Sequence, residues 1–184
     1  AQALVRNSYT DPIETLSTNI IGTANVFEAA QQTQGLKAVI NITSDKCYKN
    51  DEKKFAFCES DPLGGRDPYS ASKACSEIIT ESYRRSFFTE AGIALASARV
   101  GNVIGGGDWA TDRLIPDIIK AFTEKRQVEV RYPDAVRPWQ YVLEPLSGYL
   151  KLAERLCTNP KGFDTAWNFG PDTKDTKEVL WIVK

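Results

Sequence analysis

The sequence lacks two residue types entirely and contains few cysteines. Its 184 residues include no histidine, no methionine and four cysteines. The lack of histidine excludes Ser-His and Cys-His nucleophilic pairs and removes the common zinc ligand sets, so we predict no metal site. Any chemistry must use Tyr, Lys, Asp, Glu, Ser or a cofactor. The cysteines show no CxxC spacing, and we interpret them as reduced, mostly buried thiols.

The sequence also lacks a charge excess and a long apolar run. Its 23 basic and 24 acidic side chains are interspersed and give a formal net charge of -1, which argues against nucleic acid or an anionic membrane as a partner. No apolar run approaches the roughly 20 residues that span a bilayer, and the first ten residues lack the apolar segment of a signal peptide. We therefore expect a cytoplasmic globular protein.

The first hundred residues alternate between helix and strand patterns. Helices are predicted over residues 11–34 and 67–91, because each opens on Asp-Pro, carries apolar residues at helical spacing and is closed by a glycine. Continuous apolar segments follow at residues 36–43 and 93–100 and are typical of buried parallel strands. This order predicts a Rossmann-like, doubly wound parallel α/β sheet, whose ligands bind beyond the carboxyl ends of the strands.

The second half of the chain is less regular. It predicts helices at 112–126 and 144–157, a strand at 127–132, an extended piece at 136–142 and an edge strand at 166–170. We assign residues 1–104 to a partial dinucleotide-binding domain that carries the catalytic residues. Residues 105–184 are assigned to a partial substrate-binding lobe, and we allow 142–170 to return to the sheet.

Tyr69 and Lys73 lie four residues apart near the start of the second helix, so they share one helix face. An ammonium near a phenol lowers the pKa of tyrosine from its usual value of about 10 and favours the phenolate, which could take a proton from a substrate hydroxyl. A YxxxK spacing alone is common, and an exposed tyrosine and lysine would show the same pattern. The pair therefore needs support from elsewhere in the sequence.

That support comes from "TSDK", residues 43–46, directly after the first buried strand. Ser44 could hydrogen-bond the substrate oxygen that Tyr69 deprotonates. Asp45 and Lys46 form an acid and base pair of opposite charge, provided that their surroundings shift their pKa values toward neutrality. The alternative is an ordinary polar loop. The two motifs together are far more specific than either one.

Four segments, "TSDK", "YSASK", "ARVGNVIGGGDW" and "RPWQYVLEPLSGYL", resemble the sugar-nucleotide 4,6-dehydratases of the extended short-chain dehydrogenase/reductase superfamily. The resemblance runs over nearly the whole chain. Most of these enzymes carry Asp-Glu after the Ser/Thr, whereas this chain carries Asp45-Lys46, and that departure resembles the branch that acts on CDP-glucose. The resemblance implies NAD as the cofactor and a nucleotide sugar, CDP-glucose, as the substrate.

The resemblance also implies a role for each matching residue. Ser44, Tyr69 and Lys73 would form the catalytic triad, with Asp45 as the acid and Lys46 as the C5 base. Cofactor contacts would come from Tyr69 and Lys73 together with Ala1, Gln2, Ala3, Thr43 and Val100. Substrate contacts would come from Asn102, Arg137 and Tyr141. Asn19 matches an asparagine that kinks a helix near the active site.

The implied reaction has three stages on one tightly held NAD. Hydride leaves C4 of the sugar as Tyr69 takes the C4 hydroxyl proton. Water is then lost across C5 and C6, and the hydride returns to C6. The net reaction is the dehydration of CDP-glucose to its 4-keto-6-deoxy product, a step in deoxysugar biosynthesis for surface polysaccharide such as O-antigen.

Several alternatives stay open at this point. A nucleotide-sugar epimerase of the same fold would need only the Ser-Tyr-Lys set, and a non-catalytic nucleotide-sugar module would be expected to have lost a member of it. The three glycines at 105–107 could approach a pyrophosphate or form a flexible turn. Tyr141 could contact ligand or pack beside Trp139. Arg99 is interpreted as a structural charge or as a charge near a phosphate.

The resemblance further indicates a fragment of a longer protein. The opening residues look like the end of a strand, and the glycine-rich dinucleotide segment and part of the substrate lobe are absent from the sequence. We expect the isolated chain to bind NAD weakly and to be inactive alone. The family usually forms homodimers through a four-helix bundle, for which the helices at 11–34 and 67–91 are the candidates.

Overall fold

The computed structural model describes residues 1–50 and 56–184. Its helices, in chain order, are α1 (Val5–Thr10), α2 (Pro12–Leu16), α3 (Gly22–Gln31), α4 (Pro68–Tyr83), α5 (Leu114–Thr123), α6 (Leu143–Thr158) and α7 (Val179–Val183). Its strands are β1 (Ala38–Ile42), β2 (Ala94–Val100), β3 (Val103–Ile104), β4 (Val136–Pro138), β5 (Gln140–Tyr141), β6 (Ala166–Phe169) and β7 (Thr176–Glu178). None of the described helices combines the length and apolar character that crossing a membrane requires.

A parallel sheet of three strands, in the order β1-β2-β6, organises the larger part of the structure. Ala38 pairs with Ala94 across the first two strands, and Ser97 pairs with Ala166 across the next two. All three strands therefore end at the same edge of the sheet. The strands at 36–43 and 93–100 and the edge strand at 166–170 are confirmed to within two residues at each end.

Apolar cores cover both faces of this sheet. On one face Phe27 of α3 and Phe88 pack with Leu95 of β2. On the other face Leu152 and Leu156 of α6 pack with alanines of β1 and β2. Helices on both faces of a parallel sheet define the doubly wound α/β class, so the predicted Rossmann-like fold is confirmed.

The predicted helices exist but are less regular than the sequence suggests. Asp11 caps α2 by accepting a hydrogen bond from the Glu14 amide at 2.9 Å, as the Asp-Pro signal predicts. A π-helical turn, Ser17–Ile21, then separates α2 from α3. A second π-helical turn, Arg84–Phe88, follows α4. The opening residues were expected to end a strand, but the structure assigns residues 1–4 to no strand, and α1 follows from Val5.

Two further expectations are wrong. Residues 127–132 form no strand, because no described strand lies beside them to complete a hydrogen-bonded ladder. The cysteines are free, as expected, but only Cys47 is buried; Cys58 and Cys157 are exposed because one lies in a loop and the other on the outer side of α6. The polar segment at 50–66, which the sequence predicts to be a loop, lies partly outside the described residues.

The chain forms two compact units. The first comprises residues 1–100 and 147–169, and it contains the three-stranded sheet. The second comprises residues 101–146 and 170–184, where β3 pairs with β5 in parallel and β4 pairs with β7 antiparallel. The domain limits at 1–104 and 105–184 stay a prediction.

Candidate active site

The carboxyl end of β1 runs directly into the Ser44 turn, which we define as residues 44–47. Ser44 is extended and caps a single 3-10 turn, Asp45–Cys47, by accepting a hydrogen bond from the Lys46 amide at 3.2 Å. The Ser44 hydroxyl donates to Asp45 Oδ1 at 3.1 Å. This local bonding holds a hydroxyl and a carboxylate side by side at the edge of the sheet.

Helix α4 brings the second motif to the same edge. Asp67 caps the helix by accepting from the Ser70 amide at 2.9 Å, and Pro68 occupies the first turn, where a missing N–H costs nothing. Tyr69 and Lys73 are only 8% and 7% exposed. The Tyr69 amide donates to Ser8 Oγ of α1 at 3.2 Å, which ties the start of α4 to the N-terminal helices.

The structure brings the two motifs together. The Lys46 ammonium lies 5.8 Å from the centre of the Tyr69 ring, so the Ser44 turn and the first turn of α4 are neighbours. Ser44 is buried and Asp45 half-buried, whereas Lys46 is exposed. The predicted catalytic residues Ser44, Asp45, Lys46, Tyr69 and Lys73 thus share one end of the first unit.

Burial affects the pKa of Lys73. Removal from water lowers this pKa below its ordinary value, while the negative charge of Glu77, one turn along α4, acts in the opposite direction. The Cys47 thiol is fully buried, and burial together with the charges of Glu77 and Asp45 raises its pKa to about 12. Cys47 is therefore a neutral packing residue at neutral pH.

Asn19 joins the N-terminal segment to α4. Its Nδ2 donates to Ser72 Oγ of α4 and to the Gln2 carbonyl, both at 2.9 Å, and its Oδ1 accepts from the Gln2 amide at 2.8 Å. Asn19 lies in the π-helical turn, where an extra residue per turn redirects side chains. The expected helix irregularity at Asn19 is therefore present. Gln2 is held close to α4, and its neighbours Ala1 and Ala3 are exposed.

The described residues also contain a buried charge cluster that the sequence analysis missed. Glu77 of α4 accepts from Arg99 Nη2 and from Ser97 Oγ of β2, at 2.8 and 2.7 Å. Its other oxygen accepts from the Thr43 hydroxyl. Arg99 also donates to Tyr48 OH at 2.8 Å, which supports the structural interpretation of this arginine. The available signal was the position of Glu77, four residues after Lys73 on one helix face.

Two predicted cofactor contacts lie at strand ends. The Thr43 hydroxyl is engaged by Glu77, so a cofactor contact from Thr43 would use its main chain. Val100 is the last residue of β2 and is half-buried. Both positions are at the carboxyl edge, where dinucleotides bind in this fold class, and both contacts stay predictions.

The predicted substrate residues lie in the second unit. The Asn102 carbonyl accepts from the Gln140 amide at 3.1 Å, and Tyr141 pairs with Ile104, so Asn102 and Tyr141 belong to one small ladder. Arg137 is an exposed residue of β4, and Tyr141 is also exposed. The structure leaves both side chains accessible to a ligand.

A comparison of the chain with sequence models of protein families identifies its family. The sequence model of the NAD dependent epimerase/dehydratase family matches residues 1–169, which include every residue of the sheet edge described above. The chain belongs to this family. The resemblance to nucleotide-sugar enzymes, inferred above from the sequence, is therefore confirmed at the level of the family.

Individual members of the epimerase/dehydratase family are similar over the whole chain. CDP-glucose 4,6-dehydratase of Salmonella typhimurium is 54% identical over 188 aligned residues, which cover 100% of this chain and 52% of that protein. The chain thus spans about half the length of this curated relative.

Solved structures of the family support the fold. The dTDP-glucose 4,6-dehydratase of Streptomyces venezuelae, with NAD bound, superposes with a TM-score of 0.84 at 21% identity, covering 100% of this chain and 53% of that one. UDP-N-acetylglucosamine 4-epimerase of Methanobrevibacter ruminantium also gives 0.84, at 23% identity, covering 100% and 56%. Dehydratases and epimerases thus share this architecture.

Proposed function

We propose that the protein containing this chain is an NAD-dependent hydro-lyase that dehydrates CDP-glucose to CDP-4-keto-6-deoxyglucose in deoxysugar biosynthesis. The observation that carries the proposal is the Ser44 turn, with Asp45 and Lys46, lying beside Tyr69 and Lys73 at the carboxyl edge of a parallel sheet. The 54% identity to a CDP-glucose 4,6-dehydratase supports the choice of substrate.

The residues at the sheet edge fit NAD as the cofactor. Tyr69 and Lys73 supply a phenol and an ammonium, both nearly buried, at the place where doubly wound folds bind dinucleotides. Lys73 would hold the nicotinamide ribose, and Gln2, fixed by Asn19, would line the cofactor. When bound, NAD supplies a reversible hydride acceptor, which none of the twenty side chains provides.

In the oxidation step, Tyr69 is the general base. Its phenolate takes the proton of the C4 hydroxyl, and the adjacent Lys73 ammonium favours the phenolate form. Ser44 donates a hydrogen bond to the same C4 oxygen. In the structure that hydroxyl donates to Asp45, so substrate binding would redirect it.

Elimination needs an acid and a base on the sugar's C5–C6 side. The 4-keto group makes the C5 proton acidic, Lys46 takes that proton, and Asp45 protonates the departing C6 hydroxyl, which leaves as water. When hydride returns to C6, Lys46 gives its proton back to C5, so the net loss is one water. Lys46 acts as a base only when neutral, and it is exposed in the structure. Bound substrate and cofactor would therefore supply the apolar surroundings that this role requires.

The second unit would bind the nucleotide. Arg137 offers a guanidinium fork that suits the two oxygens of a pyrophosphate. Asn102 and Tyr141 lie on the β3–β5 ladder and offer an amide and an aromatic hydroxyl to the sugar or its phosphate.

The protein would act as a homodimer. Ile13, Ile21 and Val26 of the α2–α3 segment are exposed large apolar side chains, and so are Ile78 of α4 and Phe87 of the π-helical turn that follows α4. Exposed apolar side chains on two neighbouring helices are suited to burial against the same two helices of a second copy.

Mass spectrometry of CDP-glucose incubated with the full-length protein and NAD tests the proposal. We expect a product lighter by one water, and a much smaller yield from dTDP-glucose and UDP-glucose. A product of unchanged mass containing an isomerised sugar would instead establish the epimerase. Loss of water from dTDP-glucose or UDP-glucose alone would contradict the assignment to CDP-glucose.

A further inference from the structure

Glu77 is a buried carboxylate to which the proposed reaction gives no role. It lies on α4 one turn after Lys73 and is 4% exposed, and its partner Arg99 is 5% exposed. A buried ion pair is often no more stable than an apolar pair of the same volume, so stability alone is a weak reason for its presence. The position of Glu77 next to the proposed catalytic residues is a better reason for its presence.

Two neighbouring parallel strands, β1 and β2, supply the partners of Glu77. Thr43 follows β1 directly and precedes Ser44, while Ser97 and Arg99 belong to β2. The carboxylate therefore joins α4 to the Ser44 turn on one side and to β2 on the other. Because Ser44 and Tyr69 must reach the same substrate oxygen, the spacing between the turn and the helix decides whether the site can act.

Glu77 also provides the negative charge nearest to Lys73 along the helix. Burial lowers the pKa of Lys73, and the negative charge of Glu77 acts in the opposite direction. The charged residues of α1 and α2, which also pack on α4, are exposed; they are Arg6, Asp11 and Glu14. The Ser44 turn adds Asp45 and Lys46 near Tyr69.

Arg99, on β2, supplies the positive charge that faces the Glu77 carboxylate. Burial alone would lower the pKa of Arg99, but its hydrogen bond to Glu77 and the charge of Glu77 raise it above the ordinary value. Arg99 thus stays a cation and faces the carboxylate at 2.8 Å.

We propose that Glu77 is a positioning residue: its carboxylate, held by Thr43, Ser97 and Arg99, fixes the Ser44 turn against α4 and places a negative charge one helical turn from Lys73. The catalytic part of this proposal rests on the proposed function, because it requires that Tyr69 acts as a base. The part that concerns the charge of Lys73 does not.

The test measures the titration of Lys73 directly in the full-length protein without substrate. Lysine labelled with ¹³C at Cε is followed by NMR as a function of pH, and the Lys73 signal is assigned with Lys73→Arg. We compare Glu77→Gln with the double variant Glu77→Gln, Arg99→Met, which leaves no buried arginine without a counter-charge. The matched control is Glu81→Gln, one turn further along α4, where the side chain is 45% exposed.

We expect the pKa of Lys73 to fall in Glu77→Gln, to fall by less in the double variant because the positive charge of Arg99 is lost as well, and to stay unchanged in the control. The acid limb of the kcat profile should move to higher pH, so that activity falls at least tenfold at neutral pH and recovers in part at alkaline pH. A purely structural role would lower the melting temperature without this alkaline recovery.

Two results would overturn the proposal. The first is a folded Glu77→Gln variant in which Lys73 titrates as in the unaltered protein. The second is a shifted Lys73 titration with an unchanged kcat profile, which would remove the functional part. If the unaltered protein turns over no nucleotide sugar, the proposed function fails, while the NMR titration still decides whether Glu77 raises the pKa of Lys73.

Discussion

Among single residues, Tyr69 is the one on which the proposed reaction depends most, because the oxidation step has no other base. Replacing it by phenylalanine removes only the hydroxyl and keeps the buried ring in place. We expect Tyr69→Phe to lower kcat by about 10²–10⁴-fold, the usual contribution of a general base, with little change in melting temperature. The exposed Tyr9 provides the control, and Tyr9→Phe should leave kcat unchanged. Turnover within a few-fold of normal in Tyr69→Phe would exclude Tyr69 as the base.

Lys46 is tested by separating oxidation from elimination. Lys46→Ala leaves Tyr69 and Lys73 intact, so the C4 oxidation should proceed while the C5 proton is not removed. We expect the 4-keto hexose to accumulate, detected by trapping with borodeuteride and mass spectrometry, and dehydration to slow by about 10²-fold or more. Lys49→Ala, which alters a second exposed lysine close by, is the control. Undiminished dehydration would refute the role of Lys46.

The sequence predicted where the proposed catalytic residues lie better than it predicted the residues that support them. Ser44, Tyr69 and Lys73 follow from two short motifs placed at the ends of predicted elements. Glu77 and Arg99 were not predicted as a buried pair, because charged side chains are almost always placed at the surface by sequence rules. Their burial depends on Thr43 and Ser97, which approach only when β1, β2 and α4 are packed together.

At the scale of elements, the start of α4 sets the position of Tyr69, and Gly65 lies against it. A Cβ built on Gly65 would come within 2.4 Å of the Ala71 nitrogen, which is main chain and cannot move without moving the helix. We expect Gly65→Ala to destabilise the protein by about 1–3 kcal/mol, the usual cost of overpacking, and to lower kcat as well. Thermal unfolding and kcat are the measurements.

The control for Gly65→Ala is Gly170→Ala. A Cβ on Gly170 meets nothing within 4 Å, so this variant should keep both its melting temperature and its kcat. Equal melting temperatures for the two variants would show that the start of α4 tolerates the displacement. That result would contradict the tight spacing between helix and sheet described above.

The boundaries of the elements show where sequence patterns stop being sufficient. Asp67 and Pro68 predicted the start of α4 because capping is a local interaction, and the structure confirms it. The spacing of apolar residues did not predict the π-helical turn around Asn19. The Asn19 side chain forms hydrogen bonds to Gln2 and Ser72, which lie in other segments of the chain. Val128 and Val130 alternate as in a strand, but a strand also needs a neighbour, and the described residues provide none.

At the scale of the whole molecule, the proposed homodimer depends on the exposed apolar faces of the α2–α3 segment and of α4. Ile78 is 57% exposed on α4, so a charge there would be buried without a partner in the dimer. We expect Ile78→Asp in the full-length protein to shift the mass measured by light scattering from dimer to monomer. Leu150→Asp, at an exposed apolar position on α6, should remain dimeric. A dimer that persists in Ile78→Asp would place the interface elsewhere.

The proposed mechanism requires one enzyme to oxidise C4 and later to return the same hydride to C6. It is tested most directly with CDP-glucose that carries deuterium at C4, incubated with the full-length protein and NAD and analysed by mass spectrometry and NMR. We predict a product that has lost one water and retains the deuterium, now in its C6 methyl group. A dehydrated product without deuterium, or a labelled product that has lost no water, would contradict this account.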